Sequence, residues 1–220
     1  MKEKIKNNIF WIIAIIIIIL LLLFLVIDTK NKKNESNTST TSTSEVSESS
    51  DEEMLSGKHQ VIISVKNYGD IKVELDADVA PITVTNFIDL AKSDFYNGLT
   101  FHRIIEGFMI QGGDPEGTGM GGSGKTIKGE FSANGVNNTI SHVRGTISMA
   151  RSSSYDSASS QFFIVQEDAT YLDGNYAAFG KVTEGMDVVD KIASDAKPTD
   201  DNGTIPKDEQ PVIESITVIN

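Results

Sequence analysis

The sequence predicts a mainly β domain, an antiparallel barrel closed on itself with two helices, preceded by one transmembrane helix. Three observations carry this expectation. Short apolar-rich runs recur along residues 57–220, separated by turns rich in Gly, Asn and Asp. Only two segments of that region show apolar side chains at helical spacing. Many short strands with few helices point to a sheet that removes its edges by closing. Upstream, residues 9–27 contain only Ile, Leu, Val, Phe, Trp and Ala, without a charge.

The chain divides accordingly into four parts. Residues 1–8 form a short cytoplasmic flank. Residues 9–27 would reach about 28 Å as a helix, enough to cross a bilayer core. A secretory signal has a shorter apolar region followed by a small-residue cleavage site. Here Asp28-Thr29-Lys30-Asn31-Lys32-Lys33 follows, so the expectation is an uncleaved signal anchor. Lys2, Lys4 and Lys6 before the span are nearly balanced by Lys30, Lys32 and Lys33 after it, so the positive-inside rule decides little. The short N-terminal flank favours the domain outside the cell membrane, with a domain on the cytoplasmic face as the alternative. Residues 28–56 are rich in Ser, Thr, Asn and Glu and too poor in apolar groups to offset their ordering entropy. They read as a disordered tether. Residues 57–220 are long enough for one independent core.

Within the domain, residues 61–66 and 70–75 flank Asn67-Tyr68-Gly69 and predict a β-hairpin. Its second strand alternates apolar and polar side chains, so one face looks at a core. Ala80-Pro81 then opens a helix carrying Val84, Phe87, Ile88 and Ala91 at helical spacing. Further strands are expected at 100–104, 108–111, 145–150, 161–165 and 177–182. Residues 186–192 predict a second helix, and 212–219 a closing strand.

Charge and composition exclude several functions. The 220-residue chain has a formal net charge of −12, and from residue 58 onward 13 Lys and Arg face 23 Asp and Glu, a net −10. Such a domain argues against nucleic acid and against direct adhesion to an anionic membrane. The absence of cysteine excludes disulfides, thiol catalysis and thiolate metal sites. His59, His102 and His142 are too scattered for a ligand set or a triad, so neither a metal nor a cofactor is expected.

One stretch says more than the rest: Phe101-His102-Arg103-Ile104-Ile105-Glu106-Gly107-Phe108-Met109-Ile110-Gln111-Gly112-Gly113-Asp114. A single arginine sits in an apolar run, where loss of hydration strengthens the hydrogen bonds it makes. Ser160-Gln161-Phe162-Phe163, Tyr171-Leu172-Asp173-Gly174 and Phe179-Gly180-Lys181-Val182 follow in order. The set, spanning about residues 61–219, resembles the cyclophilin family of peptidyl-prolyl cis-trans isomerases. The resemblance implies eight strands with a helix over each end, a count that periodicity alone does not provide.

A lone arginine beside hydrophobic residues is most often a snorkelling surface residue or half of a salt bridge. The resemblance instead implies that Arg103 is the catalytic residue. It also places Phe108, Met109, Phe163 and Leu172 in a proline pocket. Strand alternation puts Phe162 and Phe163 on opposite faces, so Phe162 is read as core. Gln111 and Gln161 have the reach to hold peptide carbonyl and NH groups near Arg103. The same alternation turns His102 away from Arg103. Three departures from the family pattern stand out. Ala150-Arg151-Ser152 replaces the common Ala-Asn-Ala, keeping the main-chain contacts to substrate while Arg151 adds a charge beside the groove. Tyr171 replaces a tryptophan usual in cyclosporin-sensitive members, which implies weak drug binding. Tyr176 stands where those members have histidine and keeps an aromatic wall.

Two further motifs fail on context. Gly119-Met120-Gly121-Gly122-Ser123-Gly124-Lys125-Thr126 satisfies a P-loop pattern, and Gly117, Gly119 and Gly122 satisfy G-x-G-x-x-G. Both patterns require a strand just before and a helix just after, and residues 127–135 are poor helix formers. The segment reads as a glycine-rich loop, with no nucleotide bound. The expectation is therefore a membrane-tethered, monomeric isomerase domain acting on X-Pro bonds of unfolded or exported polypeptides. A non-catalytic proline-peptide binding module is the rival.

Overall fold

The computed structural model describes residues 54–219. The expected span at 9–27, its flank and nearly all of the tether lie outside the described residues. Among the described residues no helix is long and apolar enough to cross a membrane. The elements run β1 (Lys58–Val65), β2 (Gly69–Asp76), α1 (Pro81–Lys92), β3 (Thr100–Ile105), β4 (Met109–Asp114), β5 (Thr146–Met149), β6 (Phe162–Val165), β7 (Ala178–Glu184), α2 (Met186–Asp195) and β8 (Ile213–Val218). Each expected strand and helix is present, with ends shifted by a few residues. The strand expected at 108–111 runs on to Asp114, because Gly112 pairs with both Phe101 and Phe162.

The strands form one antiparallel sheet in the order β3-β4-β6-β5-β7-β2-β1-β8. Closure is where the expectation needs correction. The edge strands β3 and β8 share no ladder. They meet at a single bridge, Thr100 with Val212, beside bonds from Phe101 N to Pro211 O (2.9 Å) and from Ile213 N to Leu99 O (2.7 Å). Pro211 has no N–H to return, and β3 shifts register at Thr100/Phe101, so pairing stops there. The rest of the β3 edge is covered by residues 203–205, through Ile104 N to Gly203 O (2.8 Å) and Ile205 N to His102 O (3.0 Å). Covering an edge in this way satisfies its backbone groups and blocks edge-to-edge association.

The core lies on the concave face. Phe87 of α1 meets Tyr96, Phe162 and Phe179 with ring centroids 5.1, 5.4 and 5.2 Å away. Val84, Phe87, Ile88 and Ala91 are buried, as the helical spacing requires. Pro81 opens the helix, where a missing N–H costs nothing. The free N–H groups of Ile82 and Thr83 donate to the buried Glu130 carboxylate (3.0 and 2.7 Å), which caps the helix from another part of the chain. In α2, Val189, Ile192 and Ala193 face inward.

Candidate active site

Register across β3, β4, β6 and β5 aligns Arg103 with Gln111, Gln111 with Phe163, and Phe163 with Ser148. The next row, Ile104, Ile110, Ile164 and Ile147, is buried in the core. A period-two strand can place Phe101 inside, Arg103 outside and Ile104 inside only if it gains a residue. It does: Phe101 pairs with Gly112 and Arg103 with Gln111, leaving His102 as the extra residue of a bulge. His102 is therefore not turned away from Arg103 as simple alternation predicts. Both line one small cavity together with Gln111.

Backbone geometry explains the glycine pair that follows. Gly113 has φ +83°, and a Cβ there would stand 2.5 Å from Ser160 O and 3.2 Å from the Tyr96 ring. Only glycine permits β4 to approach the 160 segment this closely. Asp114 then accepts bonds from the N–H groups of Glu116 (2.8 Å), Thr118 (3.0 Å) and Gly119 (2.6 Å). Within the P-loop pattern itself the N–H groups of Gly119, Met120 and Ser123 are bonded to Asp114, Thr118 and Ser159, and Ile127 bridges Ala158 where a P-loop would continue as a helix.

Arg103 is half-buried, and burial draws its pKa below the ordinary arginine value. Nε donates to Asn202 O (2.7 Å), while Nη1 reaches Gln111 Oε1 (3.1 Å) and Met109 Sδ (3.8 Å). No hydrogen bond engages Nη2 among the described residues. The guanidinium borders a cavity of about 220 Å³ lined by Arg103, Phe108, Met109, Gln111, Ala150, Arg151, Phe163, Leu172 and Tyr176. Phe163 packs with Met109, Val165 and Ala169, while Phe162 belongs to the main core, as the alternation predicts. The result is an apolar cup with a fixed cationic donor at its lip.

The remaining predicted site residues lie around this cup. Gln161 and Ser152 line a second hollow of about 320 Å³, which shares Gln111, Ala150 and Arg151 with the first. Gln111 Nε2 donates to Gln161 Oε1 (2.9 Å), and Gln161 Nε2 to Gly119 O (3.1 Å) and Gly121 O (2.8 Å). These amides therefore tie Arg103 to the glycine-rich loop. Tyr171 lies outside the cup, 70% exposed, with its ring 6.0 Å from Phe108. A larger hollow of about 570 Å³ between α1 and residues 123–128 contains none of the predicted site residues.

Two groups escaped the sequence reading. Asn202 reaches Arg103 across 99 positions of chain, and no local pattern marks it. His142, read as isolated, bonds Asp173 through Nδ1 (2.8 Å) and Ser148 Oγ through Nε2 (3.0 Å). This Ser-His-Asp set has no route to substrate, since Ser148 and His142 are 0% and 1% exposed. Its place is structural, with the imidazole stacked 6.0 Å behind Phe163. Burial lowers the His142 pKa more than Asp173 raises it, so the ring is neutral near pH 7. No local pattern marks this set either, because Asp173 lies 31 positions from His142.

Relatives place this geometry. The family model described as "Cyclophilin type peptidyl-prolyl cis-trans isomerase/CLD" matches residues 60–218. A Helicobacter pylori peptidyl-prolyl cis-trans isomerase is 50% identical over 128 residues, which cover 57% of this chain and 76% of that protein. Peptidyl-prolyl cis-trans isomerase B of Bacillus subtilis is 47% identical over 124 residues, 56% of this chain and 83% of that one. A crystal structure of a Cryptosporidium parvum cyclophilin-type isomerase superposes with a TM-score of 0.64 at 31% identity, over 74% of this chain and 99% of that one. Another Cryptosporidium parvum structure, in the presence of the dipeptide Ala-Pro, has a TM-score of 0.62 at 32% identity, over 73% and 99%. By family match, fold and similarity to named enzymes, the chain belongs to the cyclophilin-type peptidyl-prolyl cis-trans isomerases.

Proposed function

We propose that the cup bounded by Phe108, Met109, Phe163, Leu172 and Tyr176 holds a substrate proline ring, and that Arg103 drives its isomerisation. Rotation about an X-Pro bond meets a barrier of about 18–20 kcal/mol because resonance makes the C–N bond partly double. A guanidinium hydrogen bond to the prolyl nitrogen draws its lone pair out of that resonance. The donor accelerates rotation because the twisted nitrogen accepts better than the planar one. No covalent bond is made or broken, so the step calls for no nucleophile or acid-base pair. The observation that carries this reading is the Arg103 guanidinium, held by Asn202 O and Gln111 Oε1 at the lip of an apolar cavity. Gln111 and Gln161 would align the peptide backbone, with Ala150, Arg151 and Ser152 along one side and Tyr171 at the rim. A related enzyme studied in the presence of Ala-Pro supports the same substrate chemistry.

The setting belongs to the same proposal. A single-pass anchor at 9–27 and a tether at 28–56 would hold the monomeric domain at 57–220 outside the cell membrane. Its clients would be proline-containing exported or surface polypeptides. Uncatalysed isomerisation takes tens to hundreds of seconds, so newly exported chains profit from catalysis. The test is isomerisation of a short proline peptide by the full-length chain against Arg103→Ala. Loss of one preorganised donor costs about 2.7–4 kcal/mol of barrier, about a hundredfold or more in rate. Activity within twofold of wild type, in a folded variant, would remove Arg103 from this role.

A further inference from the structure

We infer that Arg151 makes this isomerase prefer clients with an acidic side chain two residues from the proline. The inference rests on the proposed proline cup. Arg151 forms part of the partition between that cup and the neighbouring hollow, and lines both. Its guanidinium sits over three rings, 5.1 Å from Phe131, 5.1 Å from Tyr155 and 4.7 Å from Tyr176. Nε donates to Asn175 O (2.9 Å), and Nη1 to Ser152 O (2.9 Å) and Ser153 O (3.4 Å). Rings and carbonyls orient a cation without cancelling its charge.

In a chain with 31 acidic residues against 19 basic ones, the missing carboxylate is informative. Arg144 shows the ordinary arrangement, with Nη1 and Nη2 on Asp190 at 2.8 and 2.6 Å. No carboxylate pairs with Arg151 among the described residues. Asp156, on the same loop, turns instead to Gly129 N (3.0 Å) and Asn134 Nδ2 (2.7 Å). Among the described residues Arg151 is also the only charged one lining the hollow, whose other polar walls include Ser152, Ser157, Ser159 and Gln161. Ser152, Ser157 and Gln161 already donate within the protein, so the cation is what the hollow offers a carboxylate. It is already immobilised, so little ordering cost remains on binding.

The position follows from chain geometry. In an extended peptide, alternate side chains share a face. With the proline ring in the cup, the residue beside it points away, and the residue two positions off enters the adjoining hollow. The net charge of −10 on the domain by itself favours basic clients, so the two influences predict opposite signs.

The experiment measures kcat/KM of the full-length protein in detergent on proline peptides carrying Glu, Ala or Lys two residues before or after the proline. Glu is expected to exceed Lys about fivefold at one of these positions, the size expected of a partly exposed ion pair. Arg151→Lys should keep part of the ratio and Arg151→Gln bring it to one or below. About 1 M salt, with a screening length of about 3 Å, should compress the wild-type ratio whether or not Arg151→Gln folds. A wild-type ratio of one or below at both positions, a ratio unmoved by salt, or one unchanged in a folded Arg151→Gln protein overturns the inference. The Ala peptide keeps the underlying reading separate, since only that reading fails if Arg103→Ala isomerises it at the wild-type rate.

Discussion

Arg103 owes its orientation to two acceptors that come from different parts of the chain, Gln111 Oε1 and Asn202 O. Both presume a planar fork of donors, so Arg103→Lys should retain charge and still lose most activity. A peptide assay giving the lysine variant more than half of wild-type kcat/KM would show that charge alone suffices. His102 and His142 govern a second property, stability in acid. Burial lowers both pKa values in the folded state, whereas in the unfolded chain each lies at about 6.5. Between the two values the unfolded chain binds protons that the native state refuses. Stability is therefore full above about pH 6.5 and falls as pH drops through the folded values. Asp173 extends the loss to lower pH. Burial opposes its charge, but bonds from Ser141 and His142 prevail and depress its pKa, so its contribution disappears as pH falls through the folded value. Urea midpoints should hold steady from pH 8 to 7 and decline below 6.5, less steeply in His142→Gln. An unchanged slope in both His142→Gln and His102→Gln would refute the assignment.

At the scale of elements, β6 separates two roles with adjacent residues. Phe162 contacts Phe87, Tyr96 and Phe101 within the main core, and Phe163 floors the cup. Phe162→Ala should lower stability by about 3–5 kcal/mol, the usual cost of a large-to-small core change. Phe163→Ala should cost less, because its cluster borders a cavity, and should raise KM for proline peptides. Thermal melts showing the larger loss for Phe163 would invert the assignment of faces. The edge of β3 is equally consequential. Residues 203–205 replace β8 as its neighbour, and that replacement delivers Asn202 to Arg103.

At the scale of the molecule, the described residues 54–219 belong to one compact unit. Leu55 packs on the core and its N–H bonds Thr85 Oγ1 (2.9 Å), so the folded region begins before the hairpin. Under the proposed topology, protease added to intact cells or protoplasts should cut within residues 34–53, where few apolar side chains could shield the backbone. An active soluble fragment should be released, kept apart from its copies by the domain's charge of −10. Cleavage only after the membrane is broken would place the domain on the cytoplasmic face.

Much of this was legible in the sequence, because strand alternation, helical spacing and turn residues are local. The hairpin, α1 with its Phe87 face, the opposite faces of Phe162 and Phe163, and the motif around Arg103 all follow from neighbours in the chain. What needed the tertiary structure depends on partners far away. The bulge at His102 exists only relative to the register of β4, so alternation along β3 could not reveal that His102 shares a cavity with Arg103. The unclosed sheet depends on Pro211 meeting Phe101, and the neutral His142 on burial that outweighs the pull of Asp173, 31 positions later. Arg151 reads in the chain as a charge added beside a groove. Three rings from separate segments, with no carboxylate partner among the described residues, leave its charge available to a ligand, since distance in space, not in sequence, sets what a charge meets.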